Sequence, residues 1–490
     1  MEFNEIQVVP LTTQGQWSQL RTACPMLTSW GLKFLQQGLA DHVRTAVVER
    51  RYVCKDHRNL HSNFYSKKFQ MRQEPCSRIH FFTEKLSDEF DVYAPTEEFS
   101  AGYVGYSVIR PVTERCIGRT VLDPWLIGRG PSSGHFMLRT GFRSHINGTR
   151  FNVSGFPMMS QDSEATVCAH SALWSVCRYL SERYPEYPEI YPYDLIDMTQ
   201  DVSQGRRVPY RGMTYRDYAT ILSQFGCHPV VVKTRASTLD TTLIEEKYQD
   251  LCTYVESGFP ILASHPRHVV VAIGHTLDKS ATPKPDGEGL VSSSEFLKQF
   301  VVVDDNAFPY RLLGRAADPM NYSKKYSIET IHSAVCPLPE LVFLPAEGAR
   351  RAAKSILRQL RTEFGAALLD GEDEPLVTRL FLTNASALQR RRREKAGIGP
   401  TFDEAVLITT RIQLPHFVWV MEVGPMSLYK QGYCTAEIVL DSTANEREEC
   451  LIYARVGSNL VWSTDGESLS KPIVNGHSRI HQYTHNLGEH

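Results

Sequence analysis

One helical face followed by four short apolar runs, within residues 155–320, constrains the fold more than any other feature of the chain. Val167–Arg183 (VCAHSALWSVCRYLSER) sets small and apolar residues at 169, 172, 173, 176 and 180, the spacing of a single helical face. The prolines of YPEYPEIYPY then stop the helix. Tyr215–Phe225 predicts a second helix, with Gly226 placed to close it in a left-handed turn. Pro229–Val232, Pro260–Ala263, Val269–Ile273 and Phe300–Val303 have the length of strands and read as one sheet. Thr276–Ser294, polar and rich in Gly, Pro, Lys and Asp, reads as a long hairpin loop.

The regions on either side mix helix and strand signals, so the fold class is α+β. Trp30–Gly38 has helical spacing, Ala46–Cys54 reads as strand, and Tyr103–Ile109 is a strand signal ended by Pro111. Tyr103–Tyr106 is aromatic enough for a recognition surface, but aromatics in a strand are more often core. Asn147-Gly148 is a strong two-residue hairpin signal. Ala346–Phe364 predicts an amphipathic helix closed by Gly365. Ala405–Leu414, Phe417–Val423 and Thr435–Leu440 read as strands. The Gly/Pro/Ser-rich stretch Asp123–Gly134 and the neighbourhood of Cys336-Pro337 suggest boundaries. They give an N-terminal mixed region at 1–125, a central domain at 126–335 and a C-terminal α+β domain at 336–490.

A chain of 490 residues holds roughly three domains at about 150 residues each. With 53 basic and 55 acidic residues the net charge is −2, which gives no global attraction for nucleic acid or anionic lipid. Arg390–Arg393 is the one strong basic run. A nucleic-acid or phosphate patch competes there with a solvated helix face, and the solvated face is favoured. No apolar run approaches the roughly 20 residues of a membrane span. MEFNEIQVVPLTTQGQW lacks the basic start and apolar stretch of a signal peptide, so a cytoplasmic protein is expected. The 11 cysteines are scattered and form no C-x-x-C pair, which removes the usual zinc-ribbon and redox signatures. Most read as small core residues.

Three segments bring chemistry together. In QDSEATVCAHSA, Gln161 stands seven residues before Cys168, and Cys168 opens the helix. Free N–H groups at a helix start favour a thiolate, the nucleophilic form. In SGFPILASHPRHVVVAIGH, His268 starts a β-run, and in FVVVDDNAFPY a β-run ends at Asp304. A cysteine attacking a carbonyl needs a base, the imidazole needs an acceptor on its other nitrogen, and the oxyanion needs N–H donors. The order Gln, Cys, His, Asp supplies one group for each need.

This pattern resembles papain-like cysteine peptidases, most closely the double-glycine leader peptidase branch, over about 155–320. The resemblance implies a papain-like core, a central helix packed on an antiparallel sheet, flanked by mixed α/β regions. It implies Cys168 as nucleophile, His268 as base, Asp304 as its orienter and Gln161 as oxyanion donor. The Gln-to-Cys spacing is one longer than in papain. Asp304 is followed by Asp305-Asn306 where the family has proline, so Asp305 is an alternative orienter. The implied activity is that of a thiol protease, a hydrolase cleaving a peptide or isopeptide bond of a protein or peptide substrate through a thioester. The outer regions would select the substrate or meet a regulatory partner. No cofactor is implied. An acyltransferase or transglutaminase-like enzyme with the same triad is one alternative, and a catalytically silent binding scaffold is another.

Other residues have plainer readings. Cys177 reads as core, and His170 as a local hydrogen-bonding residue or pocket wall. Cys168, His170, His265 and His268 are four zinc-type ligands, but residues i and i+2 of a helix diverge, so no metal is expected. His275 ends a β-run and reads as facing solvent.

Overall fold

The computed structural model describes residues 6–69, 75–86, 90–130, 135–162, 164–199, 212–233, 241–278, 280–316, 323–398, 401–445, 448–464, 467–484 and 486. It is a mixed α+β structure. The chain divides into two compact units. The first takes in 1–226, 262–273 and 300–335; the second takes in 227–261, 274–299 and 336–490. No helix among the described residues is long and apolar enough to cross a membrane.

The first unit begins with five antiparallel strands paired in chain order, Ile6–Pro10, Thr45–Tyr52, Cys76–Phe82, Tyr103–Ile109 and Ile117–Leu122. Beside them lies the hairpin Thr140–Ile146/Thr149–Gly155. It turns at Asn147 (φ 44°) and Gly148 (φ 95°), the positive values that an Asn-Gly hairpin turn requires. Phe82, Phe99, Tyr103 and Phe151 form the aromatic core here, with Phe82 and Phe99 stacked at 4.5 Å. Tyr103 and Tyr106 are therefore core residues, not a recognition surface. The expected boundary Asp123–Gly134 lies partly outside the described residues, at 131–134.

The helix Cys168–Arg183 is buried along most of its length, including Leu173, Trp174, Val176, Cys177 and Leu180. Trp174 sets its ring nitrogen 3.1 Å from Asp56, and Tyr179 stacks on Phe156 at 5.0 Å. Tyr215–Phe225 is helical and ends at Gly226 with φ 104°, which only glycine adopts without strain. A second sheet sets Arg311–Gly314, Leu297–Val303, His268–Leu277, Ile261–His265 and Ser333–Pro339 side by side in that order. The helix is buried at every position from Ala169 to Leu180 and not on one face alone, and the strands His268–Leu277 and Leu297–Val303 run past the apolar runs Val269–Ile273 and Phe300–Val303.

The second unit contains a sheet in which Leu376–Asn384, Phe417–Pro425, Ala436–Asp441, Leu451–Val456, Asn459–Thr464 and Glu467–Pro472 run antiparallel. Several expectations need correction here. Thr276–Ser294 is not simply a loop: Leu290–Ser292 pairs parallel with Leu376–Thr378, and Asp286 fixes the turn before it by accepting from the backbone of Glu288 and Leu290. The helix at Ala346 runs to Leu369, past Gly365, with one non-helical residue at Phe364. Ala405–Leu414 is no strand. Asp403 caps a helix over Glu404–Thr409 by accepting from Ala405 N–H, and Ala405, Val406 and Thr409 face the core.

His275 is buried and lies 2.7 Å from Glu256, so it does not face solvent. Arg392 is likewise buried, paired with Glu422 at 2.9 Å and with Glu437. The solvated-face reading of the arginine run therefore fails at this residue, although Arg390 and Arg393 are exposed. Arg379 joins the same network, 2.6 Å from Glu256 and 3.0 Å from Glu422. Burial pushes the Glu256 carboxyl up, but Arg379 and His275 overcome it and hold the group below the usual range.

A buried ion pair adds little net stability, but removing one partner leaves a charge stranded out of water. Arg379→Ala leaves Glu256 with His275 alone of these partners and Glu422 with Arg392, a net excess of buried negative charge, so we expect a loss of about 3–5 kcal/mol, read as a lower urea midpoint. A midpoint equal to that of the parent would mean that water enters this network freely.

Candidate active site

The thiol of Cys168 is set by the loop that precedes its helix. Asp162 organises that loop. Its Oδ1 accepts the backbone N–H groups of Glu164, Ala165 and Thr166 at 2.8–2.9 Å, and Oδ2 accepts the Tyr65 hydroxyl at 2.7 Å. Burial disfavours this carboxylate, yet Arg110 and the N–H donors hold its pKa below the ordinary value. His170 then accepts the Val167 N–H on Nδ1 at 3.2 Å, satisfying a donor that the first helical turn leaves open. Cys168 follows as the first helical residue. It is half-buried, whereas the other ten cysteines are buried.

His268 opens its strand directly after the two-residue turn Pro266-Arg267, in which Arg267 has φ 66°. A non-glycine residue in this left-handed region costs about 1–2 kcal/mol. His268 Nε2 lies 2.9 Å from Asp304 Oδ1, and Cys168 is near enough to help raise the pKa of the ring. With Nε2 committed to the carboxylate, Nδ1 is the nitrogen available to the sulfur. Asp305 stands farther off, 4.0 Å from Nε2. The structure thus brings Cys168, His268 and Asp304 together, with the His268–Asp304 bond formed and Asp305 nearby.

The loop carrying the two aspartates is held at several points. Asp304 Oδ1 also accepts Asn306 N–H at 2.9 Å, and the Asn306 side chain donates to Asp305 at 3.1 Å and accepts from Arg115. Phe308 lies against Gly38, where a Cβ would fall 2.0 Å from the ring, so this close approach demands glycine. Gln161 reaches the site through its backbone, which lies near enough to Asp305 to favour its charged form. Its side chain is half-buried.

The electrostatics separate three histidines. Burial disfavours the His268 imidazolium, but hydrogen bonds to Asp304 and Cys168 and the charges of Asp304 and Asp305 raise its pKa to about 11. Burial lowers His170 to about 4, against the charge of Asp162. His265 is also lowered to about 4, first by burial and then by His268; its Nδ1 lies 2.8 Å from Thr330 Oγ1. Burial and the Asp304 charge push Asp305 upward. One ring is therefore positioned as an acid while its two neighbours stay neutral.

Tyr326 packs on both rings of the His265/His268 turn, 4.8 Å from His265 and stacked at 5.1 Å on His268. Tyr218 lies near Cys168, and its hydroxyl donates to Met213 O at 3.3 Å. Reasoning from the sequence missed Asp162, Tyr326 and Tyr218. The pattern Asp162-x-x-x-Thr166 ahead of a helix is a recognisable turn signal, whereas nothing local marks Tyr326.

His268, Asp304 and Asp305 also offer three metal-type donor atoms within 4.8 Å of one another. The set differs from the Cys168/His170/His265/His268 group weighed from the sequence. Nδ1 of His170 and Nδ1 of His265 already have the Val167 and Thr330 partners described above. No family model, curated protein or solved structure matches the chain.

His268 carries a pH signature. Its folded pKa of about 11 stands above the free value of 6.5, so its stabilising contribution is complete below 6.5 and is lost as pH climbs toward 11. In an NMR titration the His268 ring signals should stay those of imidazolium between about pH 5 and 8, where an ordinary histidine titrates. Asp304→Asn should return the titration to that window. Ring signals that titrate near neutrality in the parent would contradict the geometry.

Proposed function

We propose that the chain is a papain-like cysteine peptidase that hydrolyses a peptide or isopeptide bond. The observation that carries the reading is the His268 ring, 2.9 Å from Asp304 and with Cys168 near enough to raise its pKa. The Cys168–Arg183 helix and the sheet bearing His268 and Asp304 are the parts such a core needs.

In this mechanism the Cys168 thiolate attacks the carbonyl carbon, and the carbonyl π electrons move to oxygen. The Cys168 backbone N–H and the Gln161 side-chain amide receive the oxyanion. Collapse breaks the C–N bond as His268 gives its proton to the leaving amine, and a thioester remains. His268, now neutral, takes a proton from water. The resulting hydroxide equivalent displaces the thiolate and releases the acid. Asp304 holds the ring in the tautomer that both steps require and stabilises its charged form. Tyr326, stacked over His268, shields the His–Asp bond from water. The flanking regions would select a protein substrate or meet a regulatory partner.

A second reading, a cation held by His268, Asp304 and Asp305, rests on their converging donor atoms. The two readings respond oppositely to chelation. As a peptidase, the chain should cleave an unfolded protein substrate undiminished in EDTA and lose cleavage after thiol alkylation. Cys168→Ala should abolish turnover, Asp304→Ala should lower kcat by about 10²–10⁴-fold, and Gln161→Ala by about 10²–10³-fold. An added amine acceptor tests hydrolysis against acyl transfer by product mass. Full cleavage by Cys168→Ala would sink the proposal, and loss of activity in EDTA would favour the cation.

A further inference from the structure

The second unit carries a cavity of about 330 Å³, open to solvent, whose lining is one-sided in charge. Arg392, Lys395, Arg455, Arg479 and the histidines 477 and 481 face a single carboxylate, Asp403. This is where the basic run at 390–393, extended by Lys395, meets the C-terminal segment of the chain.

Two of the guanidiniums are structural. Arg392 is neutralised by Glu422 and Glu437, and Arg455 lies 2.8 Å from Asp403. Arg455 also donates to Gly457 O at 3.1 Å and to His477 O at 2.7 Å. These bonds use three of the five N–H donors that an arginine carries. Among the described residues Arg479 is tethered through Nε alone, 2.7 Å from Asp370, which leaves the paired Nη groups of its fork for another acceptor. Lys395 is exposed and forms no ion pair among the described residues. His481 packs against Tyr433 with the ring centroids 4.7 Å apart and the planes tilted by 40°, so an aromatic wall stands beside the charges.

The surplus of positive charge is felt at His481 itself. Its pKa is lowered by burial and then by Lys395, Arg392, Arg391 and His477 in turn. Asp403 therefore does not cancel the field.

We infer that this cavity binds a small phosphate-bearing molecule, its phosphoryl oxygens held by Lys395, the free fork of Arg479 and the remaining edge of Arg455. A phosphate dianion presents oxygens in several directions and suits donors converging from separate side chains, whereas one arginine fork already satisfies a carboxylate. The volume sits at the small end of the range for small-molecule sites, about 300–1,000 Å³. It suits a mononucleotide or sugar phosphate rather than a polymer. The Tyr433–His481 wall would meet whatever the phosphate is attached to.

The test is thermal shift and titration calorimetry on the full chain with inorganic phosphate, pyrophosphate, ribose 5-phosphate and AMP. Potassium chloride of equal ionic strength and citrate serve as controls. At least one phosphate probe should raise Tm above both controls. Lys395→Glu and Arg479→Gln, both at the exposed rim, should weaken its binding at least ~10-fold while leaving the ligand-free Tm unchanged. Bound ligand should also slow acetylation of Lys395, read by mass spectrometry. AMP exceeding inorganic phosphate would assign a role to the aromatic wall; equal binding would place recognition in the phosphoryl group alone. The inference is overturned if no phosphate probe exceeds chloride, if citrate binds as well, or if a variant with parental Tm binds as tightly as the parent.

Discussion

A carboxylate removed from water must be met by donors atom by atom, and Asp304 is the one on which the candidate site turns. Its Oδ1 receives both the His268 ring and a backbone N–H from Asn306, so the charge is held by a side chain and by the loop's own geometry. Two consequences spread from it. The imidazole is held charged against burial, and the adjoining Asp305 is pushed toward its neutral form because two buried negative charges cannot sit together cheaply. The same rule recurs at Asp162, which collects three backbone donors and a tyrosine, and at Asp56, which binds Arg119 through both oxygens and Trp174 besides. Buried acids in the first unit thus serve as anchors for loops and helices.

How far the sequence could be read depended on whether the deciding interactions were local. The helix at Cys168, the Asn147-Gly148 hairpin and the Gly226 helix end each rest on residues within a turn or two of one another, and all three could be seen in advance. Ala405–Leu414 looked like a strand because its β-branched residues outweighed the capping aspartate at 403, and the cap prevailed. Gly365 looked like a helix end, but packing carried the helix past it to Leu369. His275 and Arg392 looked exposed because their partners, Glu256 and Glu437, lie far away in sequence.

For the candidate site the same division holds. Residue types and their order suggested Cys168, His268 and Asp304. Only three-dimensional distances separate Asp304 from Asp305, at 2.9 and 4.0 Å from the same nitrogen. The surrounding groups that set the chemistry, Asp162, Tyr326 and Tyr218, come from segments with no motif of their own. A triad can be suspected from three residues, but its polarity is written by neighbours that the chain supplies from elsewhere.

The division of the chain into interleaved units has a practical consequence. The backbone passes from one unit to the other five times, at 226/227, 261/262, 273/274, 299/300 and 335/336. No single cut therefore releases either unit whole. A fragment ending at 335 would keep every candidate catalytic residue and still carry 227–261 and 274–299 stripped of the rest of their own unit. Stepwise shortening of the gene from its 3′ end would strip the second unit before it removed any of these residues, and the smallest folded piece is better sought by grafting loops than by trimming ends.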